Sequence, residues 1–225
     1  MPKVFTSWSG GKDGCYACYL AMKEGMEVRY LLNMMDEKGE WSWFHRFPPE
    51  VLKQQAAAMN IALLDNPSTL DTYEDDFTRA VAVMKKDGVE GGVFGDIETD
   101  HHRKWVEDIC ARSDITPCLP LWHMSQDGIM DDFIGQGFVA VITACNRDYF
   151  GEEWLGRKLD GDFLADIREM QKTTDVTTCG EMGEFHTLVI DGPIFNRRIE
   201  IQETANRFNN GYWFLEIQKS ELKDK

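Results

Sequence analysis

The segment from Val4 to Gly14 carries the clearest chemical signal in the chain. It predicts a short apolar strand, a polar loop and the start of a helix, and the loop reads Ser9-Gly10-Gly11-Lys12-Asp13-Gly14. Adjacent glycines let the backbone turn through positive φ and approach a ligand closely. The helix N-terminus adds unpaired N–H groups and a partial positive charge, and Lys12 adds a full positive charge. Together these groups predict a site for phosphate oxygens.

Two other side chains of this loop extend the same chemistry. Ser9 supplies a hydroxyl group, and the carboxylate of Asp13 can cap the helix or hold a magnesium ion. The spacing is neither that of the G-x-x-x-x-G-K-[ST] phosphate loop nor that of the G-x-G-x-x-G dinucleotide fingerprint. An ordinary strand-to-helix turn is the alternative interpretation of the segment.

The elements that must position this loop alternate between strand and helix up to about residue 145. Apolar runs at 4–8, 28–35, 62–64, 91–94 and 138–144 predict strands, and the segments 14–24, 50–59, 72–86, 103–112 and 127–136 predict helices. In the 72–86 helix, Phe77, Ala80, Val81 and Met84 share one face. Such alternation predicts βαβ units around a parallel sheet, whose ligands bind at the carboxyl ends of the strands.

After about residue 175 the pattern changes to the alternation of exposed strands. Strands are predicted at 188–190, 198–202 and 212–218, with a hairpin signal where Asn-Asn-Gly stands at 209–211. We therefore predict an α/β fold with a Rossmann-like parallel sheet and a small C-terminal α+β part. The expected boundary separates a nucleotide-binding domain at 1–145 from a substrate-binding part at 146–225.

Composition excludes several classes of protein. Aromatic residues make up 12% of the 225 residues, which argues against disorder, and no apolar run approaches the roughly 20 residues that span a bilayer. The net charge of −15, without a basic stripe, argues against a nucleic-acid partner. The six cysteines, with no export signal, predict a reduced, cytoplasmic protein. Cys15 and Cys18 are interpreted as helix-packing residues, with metal or redox chemistry as the alternative.

The loop resembles the S-G-G-x-D-S loop of the N-type ATP pyrophosphatases, the PP-loop superfamily, whose members cleave ATP between the α and β phosphates. Three further stretches resemble one branch of that group, the diphthine–ammonia ligase family and its relatives. They are Gly95-Asp96 with His102-Arg103 and Pro120-Leu121-Trp122; Glu153–Asp160 with its W-L-G-R motif; and Cys179–Thr187 with G-E-M-G-E-F-H-T, followed by Asp191–Phe195. The resemblance covers nearly the whole chain in the same order.

The resemblance implies an ATP-dependent ligase with an adenine nucleotide alpha hydrolase-like fold. An acceptor carboxylate would attack the α-phosphate of ATP, pyrophosphate would leave, and ammonia would displace AMP to form an amide. ATP with Mg²⁺ and ammonium are the implied cofactors and small partners. The acceptor is diphthine on elongation factor 2, or a small carboxylate as in corrinoid salvage by bacterial relatives.

The resemblance and the predicted fold together nominate residues for the nucleotide. Asn33 and Met34 would face adenine through backbone groups, and Asp96 would hold ribose or magnesium unless it only caps the next helix. Arg103 would contact the α-phosphate or the acyl intermediate unless it lies in a solvated helical turn. The nucleotide set is Ser9, Gly10, Gly11, Lys12, Asp13, Gly14, Asn33, Met34, Gly95, Asp96 and Arg103, with Asp13 and Asp96 as metal ligands.

A second set would act on the acceptor and on ammonia. Glu181, Glu184 and His186 could bind ammonium and take its proton, or they could form a solvated acidic turn. Arg157 could grip an anionic substrate or the AMP phosphate, or it could form a structural salt bridge with Asp160. With Lys12, these four residues complete the predicted catalytic set.

Two positions depart from the family pattern. The family loop usually ends in Ser where this chain has Gly14, and the diphthine branch usually has Glu at the position of His186. Some bacterial relatives look more like the G-E-F-H-T form found here. Two further hypotheses stay open: a tRNA-modifying relative, which the acidic charge disfavours, and a non-catalytic ATP-binding sensor. A homodimer formed through the C-terminal part is a further expectation.

Overall fold

The computed structural model describes residues 1–42 and 47–225. His45, for which the aromatic-rich sequence around it predicts a place at the substrate entrance or in the packing, lies outside the described residues. The chain forms two compact units, one of Met1–Ser9 with Asp13–His123 and one of Gly10–Lys12 with Met124–Lys225. The main division therefore falls between His123 and Met124, earlier than the predicted boundary after residue 145.

The first unit alternates five strands with helices, as the periodicity predicts. Its elements are β1 (Lys3–Ser7), α1 (Lys12–Lys23), β2 (Glu27–Met35), α2 (Pro49–Met59), β3 (Ala62–Pro67), α3 (Tyr73–Lys85), β4 (Gly91–Val93), α4 (Asp100–Ser113) and β5 (Thr116–Cys118). All strand pairs are parallel, and the sheet order is β3-β2-β1-β4-β5. The prediction of a Rossmann-like parallel sheet is confirmed.

The strand order places a switch point beside β1. The chain leaves β1 toward β2 on one side, whereas β4 lies on the other side of β1. Loops that follow β1 and β4 therefore diverge and leave a crevice at the carboxyl ends of these strands. The 9–14 loop follows β1, and Gly95-Asp96 follows β4.

Helix α3 shows how the sequence pattern sets the packing of this unit. Its buried residues are Phe77, Ala80, Val81 and Met84, which confirms the predicted face. Phe77 packs edge-on against Phe5 of β1, with ring centroids 5.9 Å apart. Burial of such a face supplies most of the stability of a helix of this length.

The second unit is built on an antiparallel sheet. Its elements are α5 (Gln126–Gly135), β6 (Val139–Asn146), a 3-10 turn (Glu152–Trp154), α6 (Gly161–Met170), β7 (Phe185–Asp191), β8 (Arg197–Asn209) and β9 (Tyr212–Asp224). The sheet order is β7-β6-β9-β8. The expectation that the 138–144 strand extends the parallel sheet is wrong, because β6 pairs antiparallel with β7 and β9.

The physical reason for that error lies in the burial of β6. Six consecutive residues, Ala140 to Cys145, are buried, so the strand is covered on both faces. A strand covered on both faces gives a continuous apolar run, which is typical of parallel sheets but does not require one. The hairpin prediction, by contrast, is confirmed: Asn210 and Gly211 join β8 to β9 with φ of 48° and 84°.

The six cysteines are all free thiols. Cys15 and Cys18 lie on α1 with no exposed surface, and burial raises the pKa of Cys18 to about 12. Such thiols are poor nucleophiles and poor metal ligands, in agreement with the packing interpretation. Among the described residues, no helix has the length and apolar character needed to cross a bilayer.

Candidate functional site

A cavity of about 190 Å³ opens in the first unit at the carboxyl ends of β1, β2 and β4. It brings together several of the residues predicted to bind nucleotide. The lining residues are Ser7, Trp8, Ser9, Asp13, Gly14, Leu32, Asn33, Met34, Ser42, Tyr73, Gly95 and Asp96. Pockets for whole drug-sized ligands are usually about 300–1,000 Å³, so this cavity has room for part of a nucleotide.

Gly95 allows the backbone after β4 to approach the start of α1. A Cβ atom placed on Gly95 would lie 2.7 Å from the carbonyl carbon of Asp13 and 2.7 Å from the amide nitrogen of Gly14. Both contacts are with backbone atoms, which a side-chain rotation cannot relieve. Glycine at position 95 is therefore required by this close approach.

Asp13 and Asp96 place two carboxylates on the same cavity. Burial raises the pKa of Asp96, the Asp13 charge adds to that effect, and His102 opposes it from 3.4 Å. Two nearby carboxylates fit Mg²⁺, which usually takes one or two protein carboxylates and completes its shell with water and phosphate oxygens. The described part of the chain contains no cluster of three or more His, Cys, Asp or Glu suited to a metal ion.

Asn33 lines the cavity near the end of β2. Its side chain is 2% exposed, and its Nδ2 donates to the carbonyl oxygen of Trp8 at 2.6 Å. Its Oδ1 is buried and has no hydrogen-bond partner among the described residues. Met34, the other residue predicted to face adenine, is also buried and lines the same cavity.

Gly10–Lys12, the centre of the predicted phosphate loop, groups with the second unit. The carbonyl oxygen of Gly10 accepts from the amide of Val189 at 3.0 Å, and the amide of Lys12 donates to Oγ1 of Thr187 at 3.1 Å. Gly10 has a φ of 85°, which confirms the expected positive-φ turn. The loop is thus fixed against β7.

The ammonium group of Lys12 is buried rather than solvated. The residue is 2% exposed, its Nζ donates to the carbonyl oxygen of Cys179, and it lies 5.7 Å from the Phe185 ring centroid. A buried ammonium requires such a partner because desolvation of an unpaired charge is expensive.

Glu184 closes the loop of residues 177–183. Its carboxylate is 1% exposed; Oε1 accepts from the amide of Thr177 at 2.6 Å and Oε2 from that of Met182 at 2.8 Å. Oγ1 of Thr177 also accepts from the amide of Glu181 at 2.8 Å. The three residues predicted for acid–base work therefore differ: Glu184 is buried, whereas Glu181 and His186 are half-buried.

His186 lies on β7, opposite Ala144 of β6. Its ring stacks on that of Tyr212, with centroids 6.5 Å apart and planes inclined by 20°. The Tyr212 hydroxyl donates to the carbonyl oxygen of Gly183 at 2.9 Å. Tyr212 thus connects the imidazole to the 177–183 loop.

Arg157 has structural partners other than the one expected. Its Nη2 donates to Oδ2 of Asp166 at 2.6 Å, and its guanidinium lies 4.4 Å from the ring centroid of Trp154. The alternative prediction, an ion pair between Arg157 and Asp160, is wrong because Arg157 pairs with Asp166. Asp160 instead caps α6, accepting from the amide of Phe163 at 3.0 Å.

Arg103 does not line the cavity formed by the described residues. Its Nε lies 2.7 Å from Oε1 of Glu107, one turn along α4, and its guanidinium lies 5.1 Å from the Trp122 ring centroid. This is the arrangement of the alternative interpretation, a solvated first turn. Its predicted contact with phosphate stays a prediction.

Sequence reasoning missed several residues that shape these regions. Trp8, Ser42 and Tyr73 line the cavity, and Thr187 and Cys179 supply the partners of Lys12. The motif around Cys179–Thr187 indicated the second region but not its direct bonds to the loop. No local pattern connects residues that are 175 positions apart in the chain.

Two family models match the chain. The diphthamide synthase N-terminal domain matches residues 2–117, and the diphthamide synthase C-terminal domain matches residues 125–222. Together the two matches span almost the entire chain, and they meet near the division between the two units.

The chain is also similar to curated proteins called diphthine–ammonia ligase. It is 26% identical to the one from Rattus norvegicus, over 86% of this chain and 80% of that protein. It is 26% identical to the one from Danio rerio, over 96% and 95% of the two chains. Among solved structures, one from Methanocaldococcus jannaschii described as a predicted subunit of tRNA methyltransferase aligns with a TM-score of 0.47 and 13% identity, covering 85% of this chain and 98% of that one.

Proposed function

Because the chain belongs to the diphthamide synthase family, we propose that it is an ATP-dependent ligase that joins ammonia to an acceptor carboxylate. Its relatives over most of the chain are diphthine–ammonia ligases, so diphthine on elongation factor 2 is the first acceptor. The proposal extends to the AMP- and pyrophosphate-forming course of the reaction.

The observation that carries this proposal is the cavity at the switch point of the parallel sheet. Residues after β1, at the end of β2 and after β4 converge there, which is where open α/β sheets bind nucleotides. In this proposal the cavity would receive the adenosine part of ATP, with Asn33 and Met34, which line it, beside the adenine. The triphosphate would then be bound by the 9–14 loop.

The loop would stabilise the departing pyrophosphate. An oxygen of the acceptor carboxylate attacks the α-phosphorus, the bond to the bridging oxygen breaks, and negative charge accumulates on the β-phosphate. The hydroxyl of Ser9, the backbone amides of the glycines and the cation of Lys12 are donors suited to that charge. Ammonia then attacks the acyl carbon, and AMP leaves.

Asp13 and Asp96 are the residues that would hold Mg²⁺, supported by their shared place on the cavity. When bound with ATP, the ion neutralises phosphate charge in a protein whose own net charge is −15. The two carboxylates would orient and fix it. This metal site is part of the proposal.

Glu181 and His186 are the residues that would handle ammonium and its proton. Both are half-buried, and an imidazole can exchange protons near neutral pH. Arg157 would hold an anionic group of the acceptor while Asp166 and Trp154 orient its guanidinium. We place the reaction in the cytoplasm, a location supported by six free cysteines.

Product analysis tests this function. The protein is incubated with ATP, Mg²⁺, ammonium and elongation factor 2 carrying diphthine, with small carboxylates as parallel acceptors. We expect AMP and pyrophosphate in equal amounts, together with one amide per AMP. Release of ADP and phosphate would overturn the proposed reaction course. ATP binding without turnover on every acceptor would favour the sensor hypothesis.

A further inference from the structure

Glu184 occupies a position in which its carboxylate can organise the backbone. It lies at the base of the 177–183 loop, and its two oxygens accept from the amides of Thr177 and Met182, one at each end of that loop. Hydrogen bonds to an ionised acceptor are stronger than those between neutral groups. The carboxylate therefore ties the two ends of the loop together.

The rest of the 177–183 loop is equally constrained. Glycine at 180 has a φ of 72°, and a Cβ there would lie 2.8 Å from the carbonyl oxygen of Phe185. The amide of Gly183 donates to the carbonyl oxygen of Gly180 at 3.0 Å. A loop this tight presents its outward carbonyl groups in fixed directions.

One of those carbonyl groups belongs to Cys179, which accepts from the ammonium of Lys12. The amide of Cys179 donates to Oε1 of Gln126 at 2.9 Å, so the peptide is held from both sides. Lys12 reaches this partner because its own backbone is fixed by Thr187. The place of the Lys12 ammonium therefore depends on the loop that Glu184 closes.

We infer that Glu184 is a positioning residue that fixes the Lys12 ammonium through the Cys179 carbonyl, and that it does not exchange protons with ammonia or the acceptor. This inference rests on the proposed role of Lys12 in binding ATP. In Glu184→Gln the side-chain NH₂ group would face one of the two backbone N–H donors. Two donors cannot form a hydrogen bond with each other, so the loop loses one of its two hydrogen bonds to residue 184. The Cys179 carbonyl then loses its fixed direction, and Lys12 loses its fixed partner.

ATP binding in the presence of Mg²⁺ provides the test, since it requires no knowledge of the acceptor. Titration calorimetry compares the wild type, Glu184→Gln, Lys12→Ala and the double variant. We expect Glu184→Gln to weaken ATP binding about tenfold or more. The double variant should bind no more weakly than Lys12→Ala, because both changes remove the same contact. Losses that multiply in the double variant would overturn the inference.

Hydrogen exchange supplies a readout that an acid–base role would not alter. The amides of Thr177 and Met182 should exchange faster in Glu184→Gln and stay protected in Lys12→Ala. Unchanged protection in Glu184→Gln would overturn the inference. In any acceptor assay that turns over, the pH profile should keep both limbs in Glu184→Gln; loss of one limb would assign Glu184 to proton transfer instead.

Two controls separate this inference from the proposed function and from misfolding. Glu169→Gln removes an exposed carboxylate on α6 and should bind ATP as the wild type does. Thr177→Val removes only the bond to the Glu181 amide and should weaken ATP binding less than Glu184→Gln does. If Glu184→Gln does not fold, Glu184→Asp takes its place, because its carboxylate is one methylene too short to hold both amides; ATP binding equal to that of the wild type then overturns the inference. Wild type that binds no ATP contradicts the proposed function, whereas wild type and Glu184→Gln that bind equally contradict this inference alone.

Discussion

The cavity of the first unit and the 177–183 loop of the second unit are built in opposite ways. The cavity collects polar groups from three strand ends, and among the described residues Oδ1 of Asn33 has no hydrogen-bond partner there. The loop uses Glu184 and Thr177 to satisfy its own backbone amides. The cavity therefore keeps a polar atom that a ligand can bind, whereas the polar side chains of the loop hold the loop's own backbone in shape.

This difference separates two roles that a motif alone does not distinguish. Carboxylates occur in both regions, as Asp96 and Glu184. Asp96 lines a cavity beside a second carboxylate, which suits a cation. Glu184 accepts hydrogen bonds from the backbone amides of Thr177 and Met182, which suits the fixing of a loop. Substitutions that act on one region and not on the other can test the distinction.

The largest effect is expected for Gly180→Ala in the 177–183 loop. The new Cβ would meet the Phe185 carbonyl oxygen at 2.8 Å in a residue with positive φ. Overpacking and left-handed strain together should lower the free energy of unfolding by about 2–4 kcal/mol, measured by urea denaturation. ATP affinity should fall as well, since Cys179 precedes this glycine.

Gly211→Ala is the matched control for Gly180→Ala. It has a φ of 84° but no atom within 4 Å of its added Cβ. It should therefore show the strain alone, about 1–2 kcal/mol, and leave ATP affinity unchanged. Equal losses of stability in the two variants would mean that the 177–183 loop can relax around the methyl group.

Gly95→Ala should act on the cavity instead. Its Cβ would press on the backbone of Asp13 and Gly14, which displaces the start of α1. We expect a loss of about 1–3 kcal/mol in stability and ATP binding weakened at least tenfold. Gly135→Ala, on α5 with open space around its Cβ, should leave ATP affinity unchanged and raise stability by up to about 1 kcal/mol. ATP affinity preserved in Gly95→Ala would place the nucleotide elsewhere.

Arg157 and Asp166 should respond unequally although they form one ion pair. Asp166→Asn removes an exposed partner and should lower the free energy of unfolding by less than about 1 kcal/mol, without changing acceptor kinetics. Arg157→Gln also loses the stacking on Trp154, so about 1–2 kcal/mol is expected, together with a lower kcat/KM for the acceptor. Identical acceptor kinetics in both variants would leave Arg157 a structural role only.

Asp96→Asn should produce the smallest change in stability and the most specific one. Because burial raises the pKa of folded Asp96 above its ordinary 3.8, the folded protein binds this proton more tightly than the unfolded chain does. The free energy of unfolding of the wild type therefore falls as pH rises from the ordinary pKa through the raised pKa of folded Asp96. At neutral pH the ionised carboxylate destabilises the folded protein. Asparagine removes the penalty, so Tm without ligand should rise by about 1–3 °C.

The same variant should lose stabilisation by Mg²⁺ and ATP. Scanning fluorimetry with and without both ligands measures this difference, since a ligand that binds only the folded state raises Tm. The two ligands should raise the Tm of the wild type more than that of Asp96→Asn. An equal gain in the two proteins would remove Asp96 from the metal site.

Sequence reasoning predicted the first unit well because its signals are local. The apolar face of α3, the parallel pairing implied by βαβ alternation and the positive φ at Gly10 all follow from nearby residues. Strand β6 was assigned to the wrong sheet because an apolar run shows burial on both faces but not the direction of its neighbours.

The candidate site was predictable only in part for a similar reason. Its motifs indicated which residues matter, and Asn33, Met34, Gly95 and Asp96 do line one cavity. The partners of charged side chains were not predictable. Asp166 rather than Asp160 pairs with Arg157, because Asp160 is occupied by the cap of α6. Such choices depend on tertiary contacts, which a one-dimensional pattern does not contain.

The attachment of Gly10–Lys12 to β7 has a consequence for synthesis of the chain. Thr187, which binds this loop, lies 175 residues after Lys12, so a ribosome makes it only after the first unit. Until then the growing polypeptide carries an unanchored lysine. A fragment of residues 1–145 contains the full loop and still lacks its anchor, so we expect it to bind ATP more weakly than residues 1–225 do.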